Sequence, residues 1–502
     1  MRYVLGIDIG TTSVKTILLS EEGKIEGELS RPHDLISFHP GWAEEDANVW
    51  WKNVKDCIQY LSEEYPEKIR NVCCIGCCGM VPSTVILDKD GVPLRLAIQQ
   101  NDFRTREEIA SVKKAINQNW LYDHTGSYTN QQHILPRLLW LQKNEPQVLE
   151  LADSIMGSYD YILYKLTGEK SLELNWAAES GCFDIRKEVW FSSLLDQYHF
   201  SDNLFPKVHY PAEIVGETTN VLKQEGLRAG IPVIAGSADH IASALGAGIT
   251  KQGDVLIKFG GAGDILFCTD SIVTSEKLFF DYHDIPGKYV LNGCMASSGS
   301  LVKWFIKDVL HEKSGEAIKE LDNYAAYVKP ASEGLIVLPY FLGEKTPIFD
   351  SEARGTIIGL TLSHTQYHIY RAILESVIYG FRHHLDVMHE IGYDAIRIKA
   401  TDGGAKSPVW CQIAADILGT DICAFENHPG SALGVSFLSG IQAGLFNDYS
   451  EVDRILPKEI HFTPNEENRS VYDEAYSIYR ELYNTLRPVF HKITRLQDPG
   501  KI

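Results

Sequence analysis

The sequence has no apolar run close to the roughly 18 residues that a membrane-spanning helix requires. Basic residues are also scarce, with 47 Lys and Arg against 67 Asp and Glu and a formal net charge of −20. This balance disfavours nucleic acid and anionic membranes as partners, because both require a basic surface. The N-terminus reads as a strand with one arginine, without the charged and apolar regions of an export signal. We therefore expect a cytoplasmic protein.

The ten cysteines are expected to be reduced thiols, because no export signal precedes them. Within the cluster Cys73, Cys74, Cys77 and Cys78, the second and third have the spacing of a metal-binding C-x-x-C pair. No second pair stands elsewhere to complete a four-ligand zinc site. A buried strand that uses cysteine as a small apolar residue is the favoured interpretation, with a metal site as the open alternative.

The chain of 502 residues exceeds one usual core, so two large domains are expected. Three strands joined by short turns, then a helix, a strand and further helices, indicate a mixed sheet with helices on its faces. The predicted strands of this first part are Tyr3–Ile9, Ser13–Leu19, Lys24–Ser30, Val72–Cys78 and Ser83–Leu87. The predicted helices are Arg104–Asn117, Pro136–Lys143 and Ser158–Leu166.

A second strand–glycine turn–strand unit follows in the other half of the chain. Val255–Phe259 reads as a strand that ends in four small residues and resumes at Ile265–Cys268. The chain therefore resembles two related α/β halves, and we expect domains over residues 1–247 and 248–502. A polar helical tail is predicted from about Val471 to Val489.

The first strand runs into a Gly-Thr-Thr turn that has the chemistry of a phosphate site. The backbone N–H groups of this turn, with the hydroxyls of Thr11, Thr12 and Ser13, can form a concave nest for an anion. Asp8, beside the turn, offers the hard carboxylate oxygen that suits Mg²⁺ or its waters. An ordinary β-hairpin is the alternative, since Asp-x-Gly-Thr also forms simple turns.

A second acidic residue stands at the end of another apolar strand. The strand Pro232–Ala235 leads to Asp239, which an Ala- and Gly-rich helix follows. A carboxylate at a strand end that faces a cleft can accept a proton from a substrate hydroxyl. Alternatively, Asp239 caps a helix that begins at His240. We interpret His240 as a helix-start or structural residue rather than a catalyst.

These stretches and several others resemble, in order, the FGGY carbohydrate kinase family, and most closely its xylulokinase branch. The resemblance extends from Leu5 to about Phe446. The further segments that carry it are Gly41–Asp46, Asn101–Arg104, Pro339–Pro347, Ala353–Gly355, Gly355–Glu375 and Gly403–Asp416. The family's second signature, within Gly355–Glu375, is matched at every specified position.

The resemblance implies two actin- and hexokinase-like (ribonuclease H-like) domains, each with a mixed five-stranded sheet flanked by helices, and a cleft between them. It also implies ATP-dependent phosphorylation of a hydroxyl of a small sugar by direct in-line transfer. Asp239 matches the family's general base, and Asp8 matches the carboxylate near Mg²⁺. The implied ATP-binding residues are Thr11, Thr12, Lys15, Gly260, Gly261, Gly263, Gly403, Gly404, Ala405 and Ser407. Relatives are commonly dimers, so a homodimer is implied by analogy.

The sugar-binding region departs from the xylulokinase pattern. Met80 to Ser83 replace the Gln-Met-His-Gly stretch, and Gln100 replaces a tryptophan. The residues expected to contact substrate are Val81, Pro82, Asp102 and Asp239. D-xylulose itself is therefore doubtful, and a related pentulose, hexulose or alditol is the expected substrate.

The second phosphate loop departs as well. Many relatives have Gly-Thr-Ser where this chain has Gly260, Gly261 and Ala262, so the loop lacks a hydroxyl donor. Asp264 is unexpected beside a polyphosphate and either faces away or joins the metal shell. A kinase-like protein that binds sugar or nucleotide as a sensor, without efficient transfer, therefore remains the alternative function.

Overall fold

The computed structural model describes residues 1–497, apart from the side chain of residue 314. The N-terminal domain is built on a mixed sheet in which Tyr3–Ile9 pairs antiparallel with Ser13–Ser20 and parallel with Val72–Gly79. The spatial order of its strands is Ile214–Glu217, Pro232–Ile234, Val72–Gly79, Tyr3–Ile9, Ser13–Ser20 and Ile25–Pro32, and Ser237–Ala238 also pairs with Val72–Gly79.

The C-terminal sheet repeats this plan around a second hairpin. Asp254–Phe259 pairs antiparallel with Gly263–Thr269 and parallel with Arg397–Thr401. The spatial order of its strands is Phe279–Tyr282, Tyr289–Met295, Gly263–Thr269, Asp254–Phe259, Arg397–Thr401, Ile422–Phe425 and Glu459–Phe462. Each domain therefore carries a glycine hairpin next to a parallel strand at the centre of its sheet.

Both sheets have seven strands over the described residues, so the expected number of five is wrong. The additional strands lie mainly at the edges and are short. Glu459–Phe462, for example, is an antiparallel edge strand with three exposed residues. A half-exposed edge of two to four residues has no continuous apolar run, which is the pattern that identifies a buried strand.

The predicted helices are confirmed within about two residues at their ends. The α-helices of the first half are Ala47–Glu64, Pro66–Arg70, Arg106–Ala115, Gln118–Thr125, Ile134–Asn144, Pro146–Leu151, Ser158–Thr167, Leu174–Glu179, Ser192–Gln197 and Asp239–Gly246. Those of the second half are Gly299–Trp304, Ser314–Ala325, Gln366–Glu390, Pro408–Leu418, Ser431–Gln442 and the tail helix Arg469–Gln497, which extends beyond its predicted bounds. Short strands outside the two sheets pair as Glu44–Glu45 with Ala97–Ile98, Val85–Leu87 with Ser154–Met156, Ser171–Glu173 with Lys207–His209, Phe183–Asp184 with Val189–Trp190, and Ile336–Leu338 with Thr356–Ile358.

The cysteine cluster forms the buried strand Val72–Gly79, as the favoured interpretation predicts. Cys74 and Cys77 are three residues apart, so their side chains point to opposite faces of the sheet. They pack into different hydrophobic clusters on those faces. Burial raises the pKa of Cys74 to about 12, so its thiol stays protonated at neutral pH. These two residues cannot chelate one metal ion.

One helix of the C-terminal half packs on the N-terminal sheet. The helix Ser431–Gln442 covers Tyr3–Ile9 and Val72–Gly79 and lies along Asp239–Gly246. A side chain at Gly434 would collide with the carbonyl oxygen of Ala242, so glycine permits this close approach. The same packing brings the N-terminus of the helix to the end of the first strand.

The tail helix is attached to the C-terminal domain through a buried polar contact. The hydroxyl of Tyr472 accepts a hydrogen bond from Arg371 Nη2 (2.7 Å) and donates to Glu375 Oε1 (3.0 Å). We expect Tyr472→Phe to reduce the free energy of unfolding by about 1–3 kcal/mol, because two buried polar groups lose a partner. Chemical denaturation measures this change. Tyr327→Phe, at a residue 88% exposed, is the matched control, and equal stabilities for both variants would contradict the expectation.

Candidate active site

The two hairpins end at the site and carry complementary charges. Asp8, near the end of the first strand, is in register with Lys15 on the neighbouring strand. Lys258 occupies the equivalent place in the second hairpin and is in register with Asp264. Cross-strand partners share a face of the sheet. Asp264 therefore lies beside a cation, which neutralises its charge next to the glycine loop.

Asp8 is held by donors from two distant parts of the chain. Ser431 Oγ donates to Asp8 Oδ2 at 2.6 Å, and Cys78 Sγ donates to Asp8 Oδ1 at 3.6 Å. Burial and the nearby charge of Asp239 raise the pKa of Asp8 to about 6. Two carboxylates thus approach each other at this point of the cleft, an arrangement that favours a cation between or beside them.

Asp239 is the first residue of the helix Asp239–Gly246, and Ala238 is the N-cap. Asp239 is thus not the cap that the alternative interpretation requires. Its side chain remains 31% exposed, and its Oδ1 lies 3.5 Å from Nδ1 of His240. Burial raises the pKa of Asp239, but the hydrogen bond with His240 and the charge of Lys258 outweigh it and hold this pKa below its ordinary value. The carboxylate is therefore ionised and accessible at neutral pH.

His240 connects Asp239 to the other domain. Its Nε2 lies 3.3 Å from Oδ2 of Asp281, a fully buried residue of the C-terminal sheet. Burial lowers the pKa of His240, but Asp281, Asp239 and Glu179 raise it well above the ordinary value. The imidazolium fixes the orientation of Asp239 and neutralises part of the surrounding acidic charge. This agrees with a structural rather than a catalytic interpretation of His240.

Lys258 is a charged residue of this site that sequence reasoning missed. It interrupts the apolar strand Asp254–Phe259, and its Nζ donates a 3.4 Å hydrogen bond to Ser243 Oγ in the N-terminal domain. The signal was present as one lysine in an otherwise apolar strand, directly before a glycine loop. A lysine that is largely removed from solvent requires negative partners, and those partners come from segments far apart in the sequence.

The predicted phosphate loops present backbone at the cleft. Thr11 and Thr12 are exposed at the turn of the first hairpin, as is Gly261 at the turn of the second, whereas Gly263 is buried. The carbonyl of Gly260 accepts a 2.8 Å hydrogen bond from the N–H of Gly299. Lys15 points toward the C-terminal half, where Nζ donates to the carbonyl of Pro429 at 3.2 Å.

The predicted nucleotide block follows the strand Arg397–Thr401. Gly403 is exposed and Ala405 is buried. A side chain at Gly404 would collide with Trp410 and Phe259, whose rings stack with centroids 4.9 Å apart. Ser407 Oγ accepts a 3.1 Å hydrogen bond from the N–H of Trp410, so Ser407 caps the helix Pro408–Leu418.

Val81 and Pro82, two predicted sugar contacts, are buried and joined by a cis peptide bond. Arg137, which the sequence analysis did not identify, supports them. It is 1% exposed, and its Nη1 donates to the carbonyl of Pro82 at 2.6 Å. Its Nη2 donates to the carbonyl of Gln99 at 3.2 Å. One buried guanidinium therefore holds together the two loops that carry the predicted sugar contacts.

Asp102, the third predicted sugar contact, is 1% exposed. Its carboxylate accepts hydrogen bonds from Arg104 Nε (2.9 Å) and Nη2 (2.8 Å) and from the N–H of Ala43 (2.6 Å). The guanidinium of Arg104 in turn stacks on Trp42, 3.8 Å from the ring centroid. Asp102 thus fixes Arg104 and the backbone at Ala43 through these contacts, and a direct contact with sugar stays a prediction.

Two mixed sheets that direct glycine hairpins at a common cleft, with an ionised carboxylate beside them, define a two-domain kinase of the actin- and hexokinase-like class. The chain belongs to the FGGY family of carbohydrate kinases. Residues 3–246 match the N-terminal domain of that family and residues 274–443 match its C-terminal domain. The protein is accordingly a carbohydrate kinase, a phosphotransferase.

Similar proteins include xylulose kinases and a gluconokinase. The crystal structure of xylulose kinase from Rhodospirillum rubrum is 40% identical, with a TM-score of 0.91, and the match covers 98% of this chain and 100% of that one. Xylulose kinase of Lactococcus lactis is 30% identical over 100% of both chains. Gluconokinase of Bacillus subtilis is 27% identical over 94% of this chain and 93% of its own. Residues 1–497 contain no helix long and apolar enough to cross a bilayer.

Proposed function

We propose that the protein transfers the γ-phosphate of ATP to a hydroxyl of a ketose or an alditol, with Asp239 as the general base. The observation that carries this proposal is the ionised, 31% exposed carboxylate of Asp239 beside Asp8 and Lys258. Phosphoryl transfer depends on positioning and charge neutralisation more than on covalent help from the protein. Two opposed loops and a base supply what that reaction requires.

In the proposed reaction the sugar hydroxyl attacks the γ-phosphorus in line with the leaving oxygen. A bond forms between the hydroxyl oxygen and the phosphorus while the bond to the β–γ bridging oxygen breaks. The bridging oxygen leaves with the bonding electron pair as part of ADP, and the hydroxyl proton passes to Asp239. Closure of the two domains excludes water, which would otherwise compete as the acceptor.

Mg²⁺ fits the donor set at Asp8. The carboxylate is a hard oxygen ligand, and burial together with the nearby charge of Asp239 raises its pKa to about 6, so a bound cation would offset negative charge here. When bound, the ion neutralises charge on the phosphates of the nucleotide. Asp8 would hold the ion directly or through water, and the hydrogen bond from Ser431 Oγ orients that carboxylate.

The remaining assignments are those that the family resemblance implies. Thr11, Thr12 and Lys15 contact the phosphates from the first hairpin, and Gly260, Gly261 and Gly263 from the second. Gly403, Gly404 and Ala405 bind the nucleoside side of ATP, and Ser407 shapes this block as a helix cap. We also propose the boundary between residues 247 and 248 as the division between the two domains.

Gluconokinases and xylulose kinases both occur among the relatives, so family membership does not select the acceptor. The departure from the xylulokinase motif at Val81 and Pro82 supports a polyol-like acceptor other than D-xylulose. Neither residue has a polar side chain, so the sugar hydroxyls would bind backbone groups, Asp102 or Asp239 instead. A pentulose, a hexulose or an alditol meets this requirement.

A coupled assay of ADP release across ketoses, alditols and aldonates tests this proposal. We expect turnover above the sugar-free rate with at least one ketose or alditol, and a weaker response to D-xylulose. Binding of sugar and nucleotide without turnover on any acceptor would contradict the kinase proposal. It would support the sensor alternative, which the hydroxyl-free loop at Gly261 and Ala262 favours.

A further inference from the structure

Lys258 stands in the second hairpin where Asp8 stands in the first. Each is the second-last residue of its strand, two positions before the turn glycine. Each is in register with an oppositely charged residue on the next strand, Lys15 for Asp8 and Asp264 for Lys258. The duplicated hairpins thus present a carboxylate from one domain and an ammonium from the other.

The protonated form of Lys258 is stabilised by carboxylates from both domains. Burial lowers its pKa, but the negative charges of Asp402, Asp264, Asp239 and Asp8 raise that pKa above the ordinary value. Two of these carboxylates belong to the hairpin domain of Lys258, and the other two are the proposed base and metal ligand across the cleft. The ammonium therefore interacts electrostatically with carboxylates of both domains, including the proposed base and the proposed metal ligand.

The ammonium of Lys258 has hydrogen-bond donors that no described residue uses. It donates to Ser243 Oγ at 3.4 Å, which is long compared with the usual 2.7–3.2 Å. An ammonium group carries three donors, so this one weak bond leaves room for an anion. The lysine is partly exposed to the cleft, and Ser243 donates to the carbonyl of Asp239 at 2.8 Å. Lys258 is thus reachable from the same space as the base.

The second loop needs such a donor because Gly261 and Ala262 have no hydroxyl. We propose that Lys258 is a catalytic residue that binds a non-bridging oxygen of the γ-phosphate of the bound nucleoside triphosphate. This inference rests on the proposed function for the identity of the nucleotide. Lys258 keeps its proton throughout and neutralises the charge on the phosphoryl oxygens, while the hydroxyl proton goes to Asp239. Asp264, in register with Lys258 on the next strand, supplies negative charge that favours the protonated ammonium.

The test compares nucleotide affinities and requires no turnover. Calorimetry measures the dissociation constants of Mg·AMP-PNP and Mg·ADP for the full-length wild-type protein and for Lys258→Met. We expect the substitution to weaken AMP-PNP roughly 10- to 100-fold, as the loss of a charge-assisted hydrogen bond implies, and to change ADP less than about threefold. Lys258→Arg should retain most of the affinity for AMP-PNP because it keeps the charge.

Lys399→Met is the matched control. Lys399 is another lysine of the C-terminal sheet with acidic neighbours; its side chain is 1% exposed, with Nζ 3.6 Å from Asp453 and 3.5 Å from Glu459. Its substitution should change neither affinity. Lys258→Gln keeps a donor for Ser243, and it decides the question if Lys258→Met does not fold by circular dichroism and thermal unfolding.

Equal changes in both nucleotide affinities, or no change in either, would overturn the assignment.

With an active acceptor sugar, the folded neutral variant should also lower kcat roughly 10- to 100-fold and leave KM for the sugar within about threefold. A rise in KM for the sugar alone would likewise contradict a role at the phosphate. A wild type inactive with every acceptor would refute the proposed function, and the comparison of AMP-PNP with ADP would still decide the role of Lys258.

Discussion

Asp239→Asn is expected to lower kcat roughly 10³- to 10⁴-fold, the largest loss that general-base removal usually causes. The amide has nearly the same shape and can still contact His240, but it cannot accept the hydroxyl proton. Because the proposed role of Asp239 is contact with the acceptor hydroxyl rather than with the nucleotide, affinity for Mg·AMP-PNP should change less than about threefold. Single-turnover and steady-state assays with the best acceptor sugar measure the loss.

Asp394→Asn is the control for this substitution, since it makes the same chemical change at a side chain that is 75% exposed. It should retain wild-type turnover. If Asp239→Asn keeps wild-type kcat while Asp394→Asn does too, Asp239 is not the base. The proton would then pass to another group or directly to solvent.

Asp8→Asn is expected to lower kcat/KM for ATP roughly 10²- to 10³-fold, which is typical for removal of one electrostatic element of an active site. Asparagine can still accept the hydrogen bond from Ser431, so the loss reports the missing charge rather than a missing contact. The variant should require a higher Mg²⁺ concentration for half-maximal rate. Titration of Mg²⁺ at fixed ATP measures this requirement.

An unchanged Mg²⁺ requirement in Asp8→Asn would remove Asp8 from the metal site, even if turnover falls. Ser431→Ala separates the two causes further, because it leaves the charge and removes the donor that orients it. We expect this variant to show a smaller loss, roughly tenfold, which corresponds to one hydrogen bond to a charged group.

The parts of the fold that sequence reasoning predicted are those with local signals. Tyr3–Ile9 was predicted with its observed bounds because it is a continuous buried strand that ends at a glycine turn. The edge strand Glu459–Phe462 carries mostly exposed residues and no such pattern. The helix Ser431–Gln442 was not assigned to the N-terminal sheet, because its packing depends on contacts between residues more than 400 positions apart.

The same difference separates the site residues that were predicted from those that were missed. Asp8 and Asp239 were predicted because each stands near the end of an apolar strand and in a recognisable motif. Lys258 and Arg137 were missed because the role of a cation inside the fold depends on partners that only the tertiary structure brings near. For Lys258 these include Asp402, and for Arg137 they include the carbonyl of Gln99. Neither partner could be identified without the tertiary structure.

A crystal structure with Mg·AMP-PNP and the best acceptor sugar tests the central claim most directly. We predict a carboxylate oxygen of Asp239 about 2.6–3.2 Å from the acceptor hydroxyl. That hydroxyl should lie about 3–3.5 Å from the γ-phosphorus and in line with the leaving oxygen. An Asp239 carboxylate turned away from the sugar, with another group in contact with that hydroxyl, would contradict the account.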